Sequence, residues 1–226
     1  ESLKSLLKIP AWWAMCFGTA FGAFVSYSKS AFHTKFLVTL DPSFDFKTLV
    51  IILGVINGIT YAGGAFFGAR LADKWGKRDI RAYGWLPAIS ISICLPIGIM
   101  AWWAPSVEIN LIFTSLFLLF YGTYLGPCFA IAQTLAPIHM RAMSTALFFF
   151  VINMIGLGLG PTISGWLIDY FKTTSTNIDS MRLAMTSISC VLIASIISFL
   201  MVAQKLPKDW KIAEKNNLKL AKTDQA

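Results

Sequence analysis

The sequence predicts an all-α protein that crosses a membrane six times, and three observations carry the prediction. Apolar residues fill 56% of the 226 positions and charged ones only 13%, where water-soluble domains carry about 25% charged residues. The apolar residues fall in runs near the ~20 residues that a helix needs to cross a bilayer, without the period-2 alternation of strands. The cations gather in short stretches between those runs. In hydrocarbon a backbone must satisfy its own polar groups, so runs of this length read as helices.

Taken in order, residues 1–10 form a lead-in carrying Lys4 and Lys8, and Pro10 opens the first helix where a missing N–H costs nothing. Spans follow at about 11–39, 48–72, 83–103, 107–134, 142–170 and 182–204, making residues 11–204 one bundle and 205–226 a basic tail. Trp12, Trp13, Trp102, Trp103 and Trp166 fall near span ends, where interfacial aromatics are expected. The lead-in, the loops at 70–81 and 135–141 and the tail hold 14 of the 19 Lys and Arg residues. Lys35, Lys47, Lys172 and Arg182 lie on the other side, and Lys29 lies inside the first span. The positive-inside rule then puts both ends in the cytoplasm, which six spans allow. The tail beyond Pro207 fits either a segment resting on an anionic leaflet or a solvated one.

The net charge of +8 is spread over loops and tail, without the aromatic and basic groove that nucleic-acid binding requires. Cys16, Cys94, Cys128 and Cys190 sit singly in apolar runs and read as small apolar residues, not as disulfides or metal ligands. With two His and no Gly-x-Gly-Asp pair, an intramembrane enzyme lacks its catalytic residues, and no metal or cofactor is expected. The chain begins with Glu1 and shows no cleavable signal pattern, so it reads as cut from something longer.

Polar residues inside the spans are the candidates for function, because lipid rejects them and a cavity accepts them. Ser26, Lys29, Ser30 and His33 recur at i, i+3, i+4 and i+7 and share one face of the first span. Lys29 either holds an anionic headgroup or snorkels outward, since it lies about 27 Å along the helix from the cytoplasmic end. Asn57, Thr60 and Tyr61 fall near the middle of the second span, where Gly54/Gly58 and Gly64/Gly68 have the spacing of close helix contacts. Tyr121 and Tyr124 share a face of the fourth span with Cys128, and Gly126-Pro127 loosens that helix. Asn153 and the glycines of Gly156-x-Gly158-x-Gly160-Pro161 mark the fifth as a packing or hinge segment. No carboxylate lies at mid-membrane, so an acid for a proton relay is not in these residues. His33 is the titrating group nearest the pathway.

The stretch Ala69-Arg-Leu-Ala-Asp73-Lys74-Trp-Gly76-Lys77-Arg78 ends the second helix at Asp73 and turns about Gly76. Gly165-Trp-Leu-Ile-Asp169 ends the fifth in the same way on the opposite side, as an inverted repeat of three helices plus three predicts. With its cations and glycine, the first stretch resembles the loop signature of the major facilitator superfamily, with Ala69 standing where that family has Gly. Tyr124-Leu-Gly-Pro-Cys-Phe-Ala-Ile-Ala-Gln133, Pro137 to Ala146 and Asn153 to Pro161 are similar to the spinster branch. The resemblance implies the C-terminal half of a twelve-helix transporter working by alternating access, in a bacterial inner membrane beside its N-terminal half. It implies lysolipid-like or other amphiphilic substrates, with protons as the candidate coupling ion and Asp73, Lys74, Gly76, Lys77 and Arg78 as a conformational latch. The rival readings are a major facilitator carrier of another small organic solute and a six-span scaffold or receptor that transports nothing.

Overall fold

The computed structural model describes residues 9–223, apart from the side chains of His139, Asn216 and residues 218–223. Residues 1–8, which hold most of the expected lead-in, lie outside the described residues. The helices are α1 (Pro10–Leu40), α2 (Phe46–Gly76), α3 (Ala82–Trp102), α4 (Val107–Thr134), α5 (Arg141–Lys172), α6 (Asn177–Ser189) and α7 (Val191–Thr223). The last two follow one another through Cys190 and together take the place of the sixth expected span. Among the described residues there is no strand.

The ends of these helices follow from local chemistry. Pro10 stands in the first turn of α1, and Ser106 caps α4 by accepting the Ile109 amide. Thr176 and Asp179 cap α6 reciprocally: the Thr176 hydroxyl accepts the Asp179 amide and donates to its carboxylate. Asp45 caps α2, its carboxylate accepting the Thr48 hydroxyl at 2.6 Å and the Thr48 amide at 2.8 Å. The hydroxyl first, then the amide, holds the Asp45 carboxyl below its ordinary value. A depressed acid stabilises the fold above its unfolded value and loses that contribution as pH falls through the folded one. Amide exchange at Thr48 is therefore expected to quicken as pH drops through the acid range, after correction for intrinsic rates. In Asp45→Asn, which still caps, that extra sensitivity should vanish; its survival would assign it to another group.

The packing order reveals the repeat. α3 packs on α4 and α7 on α1; α2 packs on α4 and α5 on α1; α3 and α7 pair with each other. Each of these statements maps onto another when the first three helices exchange places with the rest. The fold is thus a six-helix bundle of two inverted three-helix units, with α1 and α4 central. Both α2 and α5 carry a π-helical segment midway, at Asn57–Tyr61 and Met154–Leu159. Each segment begins roughly four turns before its matching aspartate, Asp73 or Asp169. The α-helical period assumed across these stretches therefore fails there.

Among the described residues five helical stretches are long and apolar enough to cross a membrane; α1 is not among them. Six spans of bilayer length were expected. α1 falls short because it is enclosed on several sides and carries Ser26, Ser28, Lys29, Ser30, His33 and Thr34 toward neighbours instead of lipid. At the other extreme, only 17% and 22% of the most apolar windows of α2 and α5 are buried, so these helices turn apolar surface outward.

Three further expectations are corrected. Trp12 and Trp102 are core residues at 0% and 2% exposure, not interfacial ones. The Trp12 indole donates to the Ser144 hydroxyl at 2.8 Å and to the Ala132 carbonyl at 3.2 Å. The second helix runs past Asp73 to Gly76, and no glycine among the described residues has positive φ. Gly76 is needed for space, since a Cβ there would run into the Tyr83 ring. Of the two glycine pairs, only Gly64/Gly68 makes a close contact: Cβ atoms there would strike the Leu119 and Thr123 carbonyls, while Gly54 and Gly58 meet nothing within 4 Å. The tail is helical through Thr223 because α7 continues through Pro207. Its Asp209 accepts the Ala11 amide at 2.8 Å, tying the tail to the first turn of α1.

Candidate functional site

Two cavities lie on the side of the bundle where α1, α2 and α4 meet. The first, of about 230 Å³, is lined by the polar face of α1 (Ser26, Lys29, Ser30, His33, Thr34), by Asn57 and Gly54 of α2, and by Gly98, Trp102, Thr114 and Phe117. The second, of about 440 Å³, is lined by Tyr27, Tyr61, Tyr121, Tyr124, Phe129, Phe149 and Asn153. Ser26, Asn57 and Leu118 line both, so the two are neighbours. One is rich in hydroxyls and holds the cation; the other is walled by rings.

The helices explain these placements. α1 brings Ser26, Lys29, Ser30 and His33 to one cavity by its 3.6-residue period, as the spacing predicted. Asn57 and Tyr61 stand at the two ends of the π-helical segment of α2. Asn57 donates to the Leu53 carbonyl at 2.9 Å and Thr60 to the Ile56 carbonyl at 2.6 Å. Thr60 lines neither cavity; its hydroxyl serves its own helix. Tyr124 donates to the Tyr121 hydroxyl at 3.0 Å, and the two rings meet edge-on. Tyr124 is fully buried, so its hydroxyl holds Tyr121 in place. Asn153 accepts the Tyr27 hydroxyl at 3.4 Å across to α1.

Lys29 does not snorkel. Its side chain is 8% exposed, its Nζ lies 4.8 Å from the Phe117 ring centroid, and it abuts Gly98. His33 is held differently: its Nε2 lies 2.7 Å from Asn110 Oδ1, while Asn110 donates through Nδ2 to the Ala101 carbonyl at 2.6 Å. That second bond fixes the amide, so His33 Nε2 carries the hydrogen in this network. Asn110 and Thr114, one turn apart in an apolar span, went unread as partners of His33; their i, i+4 spacing was the available signal.

Gly156 and Gly160 of α5 are packing points, while Gly158 meets no other helix. A Cβ at Gly156 would press on Ala23 and Tyr27, and one at Gly160 on the Phe24 carbonyl and Ser28. Pro161 stands in the first turn of the α-helical segment that follows. α4 runs through Gly126 and Pro127 without a break. Pro127 has no N–H for the Thr123 carbonyl one turn back, and that carbonyl lies against Gly68. In the 70–81 region Asp73, Lys74, Lys77 and Arg78 all stand exposed. Among the described residues no group of His, Cys, Asp and Glu could hold a metal ion.

This architecture resembles one half of the major facilitator fold, and its long apolar helices make the chain an integral, multi-pass membrane protein. Two crystal structures of a bacterial homolog to the human lysosomal transporter Spinster, both inward-facing, share the fold. The occupied form has a TM-score of 0.79 at 21% identity, over 91% of this chain and 51% of that one. The unoccupied form has a TM-score of 0.81 at 20% identity, over 92% of this chain and 50% of that one. An MFS-type efflux pump of Mycolicibacterium smegmatis is 27% identical over 165 residues, 73% of this chain and 38% of the pump. No family model matches the chain. The chain therefore spans about half the length of the solved relatives and less of the pump. These relatives are transporters, not enzymes.

Proposed function

We propose that this chain is the C-terminal half of a secondary transporter that works by alternating access and carries amphiphilic, lysolipid-like substrates. The observation that supports it is the pair of adjoining cavities, one polar and cationic, the other aromatic. An amphiphile needs both surfaces within one molecule's length. The partner is the N-terminal six-helix half, for which the apolar outer faces of α2 and α5 offer surface. The protein sits in a bacterial inner membrane with both ends of this chain cytoplasmic, as the distribution of cations favours. Protons are the candidate coupling ion, and their acid belongs to the other half, since no Asp or Glu lines either cavity.

The latch belongs to the same proposal. Asp73 at the end of α2, with Lys74, Gly76, Lys77 and Arg78, forms contacts in one state that break in the other, and so biases the balance between states. Asp73→Asn is expected to shift the inward/outward populations by severalfold in spin-label distance measurements on the full-length protein. Identical distance distributions in the variant would remove the latch.

The deciding experiment is flux of labelled lysophospholipid through proteoliposomes carrying the full-length protein. Saturable flux above empty vesicles is the expected result; its absence overturns the amphiphile reading. The likeness to an efflux pump favours a second reading, export of another small organic solute. Flux of such a solute without lysophospholipid flux would select it.

A further inference from the structure

We propose that the cavity around Lys29 is an anion subsite, in which Lys29 grips the anionic oxygens of a substrate headgroup. The inference rests on the transport reading above and adds the charge of the substrate and the residue that reads it.

Lys29 lacks what burial demands of a charged side chain. Lys29 Nζ is buried and has no hydrogen-bond partner among the described residues. The ion pairs of those residues are Lys172–Asp169 and Arg182–Asp179, both elsewhere. An ammonium removed from water without a counter-charge is strongly penalised, which is why buried charges come paired. The contacts that Lys29 does have are a weak substitute. The Phe117 ring offers its face at 4.8 Å, and Gly98 makes room by having no side chain, since a Cβ there would collide with Nζ. Both residues line the same cavity as Lys29.

What surrounds Lys29 selects the ligand. The lining has no carboxylate, so nothing repels an anion and nothing neutralises the lysine. Ser26, Ser30, Thr34 and Thr114 put hydroxyls around the same space, suited to the remaining oxygens of a phosphate or carboxylate. His33, the other titratable group of the lining, commits Nε2 to Asn110 and so leaves Lys29 as the anion's principal contact. The aromatic cavity begins at Ser26, Asn57 and Leu118, one step from Lys29, so a head held there directs its chain between Tyr121 and Phe149.

The test compares three probes on the full-length protein in detergent: oleoyl lysophosphatidate, monoolein with the same chain but no charge, and inorganic phosphate. The wild type should bind lysophosphatidate at least about tenfold more tightly than monoolein, as a charge-assisted contact implies. Lys29→Gln should abolish that preference while keeping a monodisperse size-exclusion profile, which shows that the variant is folded. Gly98→Ala, which displaces Nζ, should weaken the preference without removing the charge. Equal lysophosphatidate affinity in wild type and Lys29→Gln overturns the subsite and spares the transport reading. Failure of both lipids to bind overturns that reading instead. Lys29-dependent binding of inorganic phosphate with no gain from the acyl chain upholds the anion subsite and overturns its assignment to a lipid head.

Discussion

Full-length protein carrying Gly64→Ala and Gly68→Ala together is expected to lose its folded, monodisperse form. Helix α2 meets α4 through these two positions, and added Cβ atoms would be driven into the Leu119 and Thr123 carbonyls. On the partner side, a Cβ at Gly122 would press toward the Tyr61 carbonyl and the Ala65 amide, so the contact is backbone to backbone. Overpacking costs about 1–3 kcal/mol where side chains can yield; here the obstacle is a main chain, which can yield only by moving a whole helix. The pair should therefore cost at least about 3 kcal/mol. Size-exclusion profile and melting temperature in detergent are the readouts. Gly63→Ala is the control, because its Cβ meets only the Leu119 side-chain tip, at 3.9 Å. Equal damage from Gly63→Ala would mean that any added methyl group on α2 is harmful and that close approach is not the cause.

Trp12→Ala should destabilise the full-length protein by about 3–5 kcal/mol, the usual range for emptying a buried aromatic site. Trp12 fills the space between α1, the end of α4 and the start of α5, with Phe148 edge-on at 6.0 Å. Its indole and the Ser144 hydroxyl both donate to the Ala132 carbonyl, at 3.2 and 2.7 Å, in the last turn of α4. Such carbonyls lack an intrahelical donor. Two donors on one carbonyl make the contact redundant. Trp12→Phe and Ser144→Ala should each cost about 1 kcal/mol, because the other donor remains. Together they strip the carbonyl and should cost more than the sum of the two. Additive losses in the melting temperatures would show that the shared carbonyl does not couple them.

The helical class, the positions of the first five spans to within a few residues, and the polar face of α1 were legible in the sequence. Each depends on composition or on a period that the chain carries locally. The repeat was also legible at its ends, in Asp73 and Asp169, although its proof lies in which helices pack together. Of the polar residues singled out within the spans, Thr60 lines neither cavity, because a hydroxyl in a helix satisfies itself on the preceding turn as easily as it serves a site.

Only the tertiary structure decided the rest. Gly54/Gly58 and Gly64/Gly68 are the same signal, and which pair packs depends on where α4 lies. Trp12 reads as interfacial from its place near a span end, and as core only once Ala132 and Ser144 arrive from over a hundred residues away. The sequence favoured snorkelling over binding for Lys29 until Gly98 and Phe117 enclosed it. The sequence by itself determined what each helix offers, because propensity and periodicity are properties of neighbouring residues. Burial is a property of residues distant in the chain and adjacent in space, and it alone decided which glycine is a contact, which tryptophan is core and which cation lacks a partner.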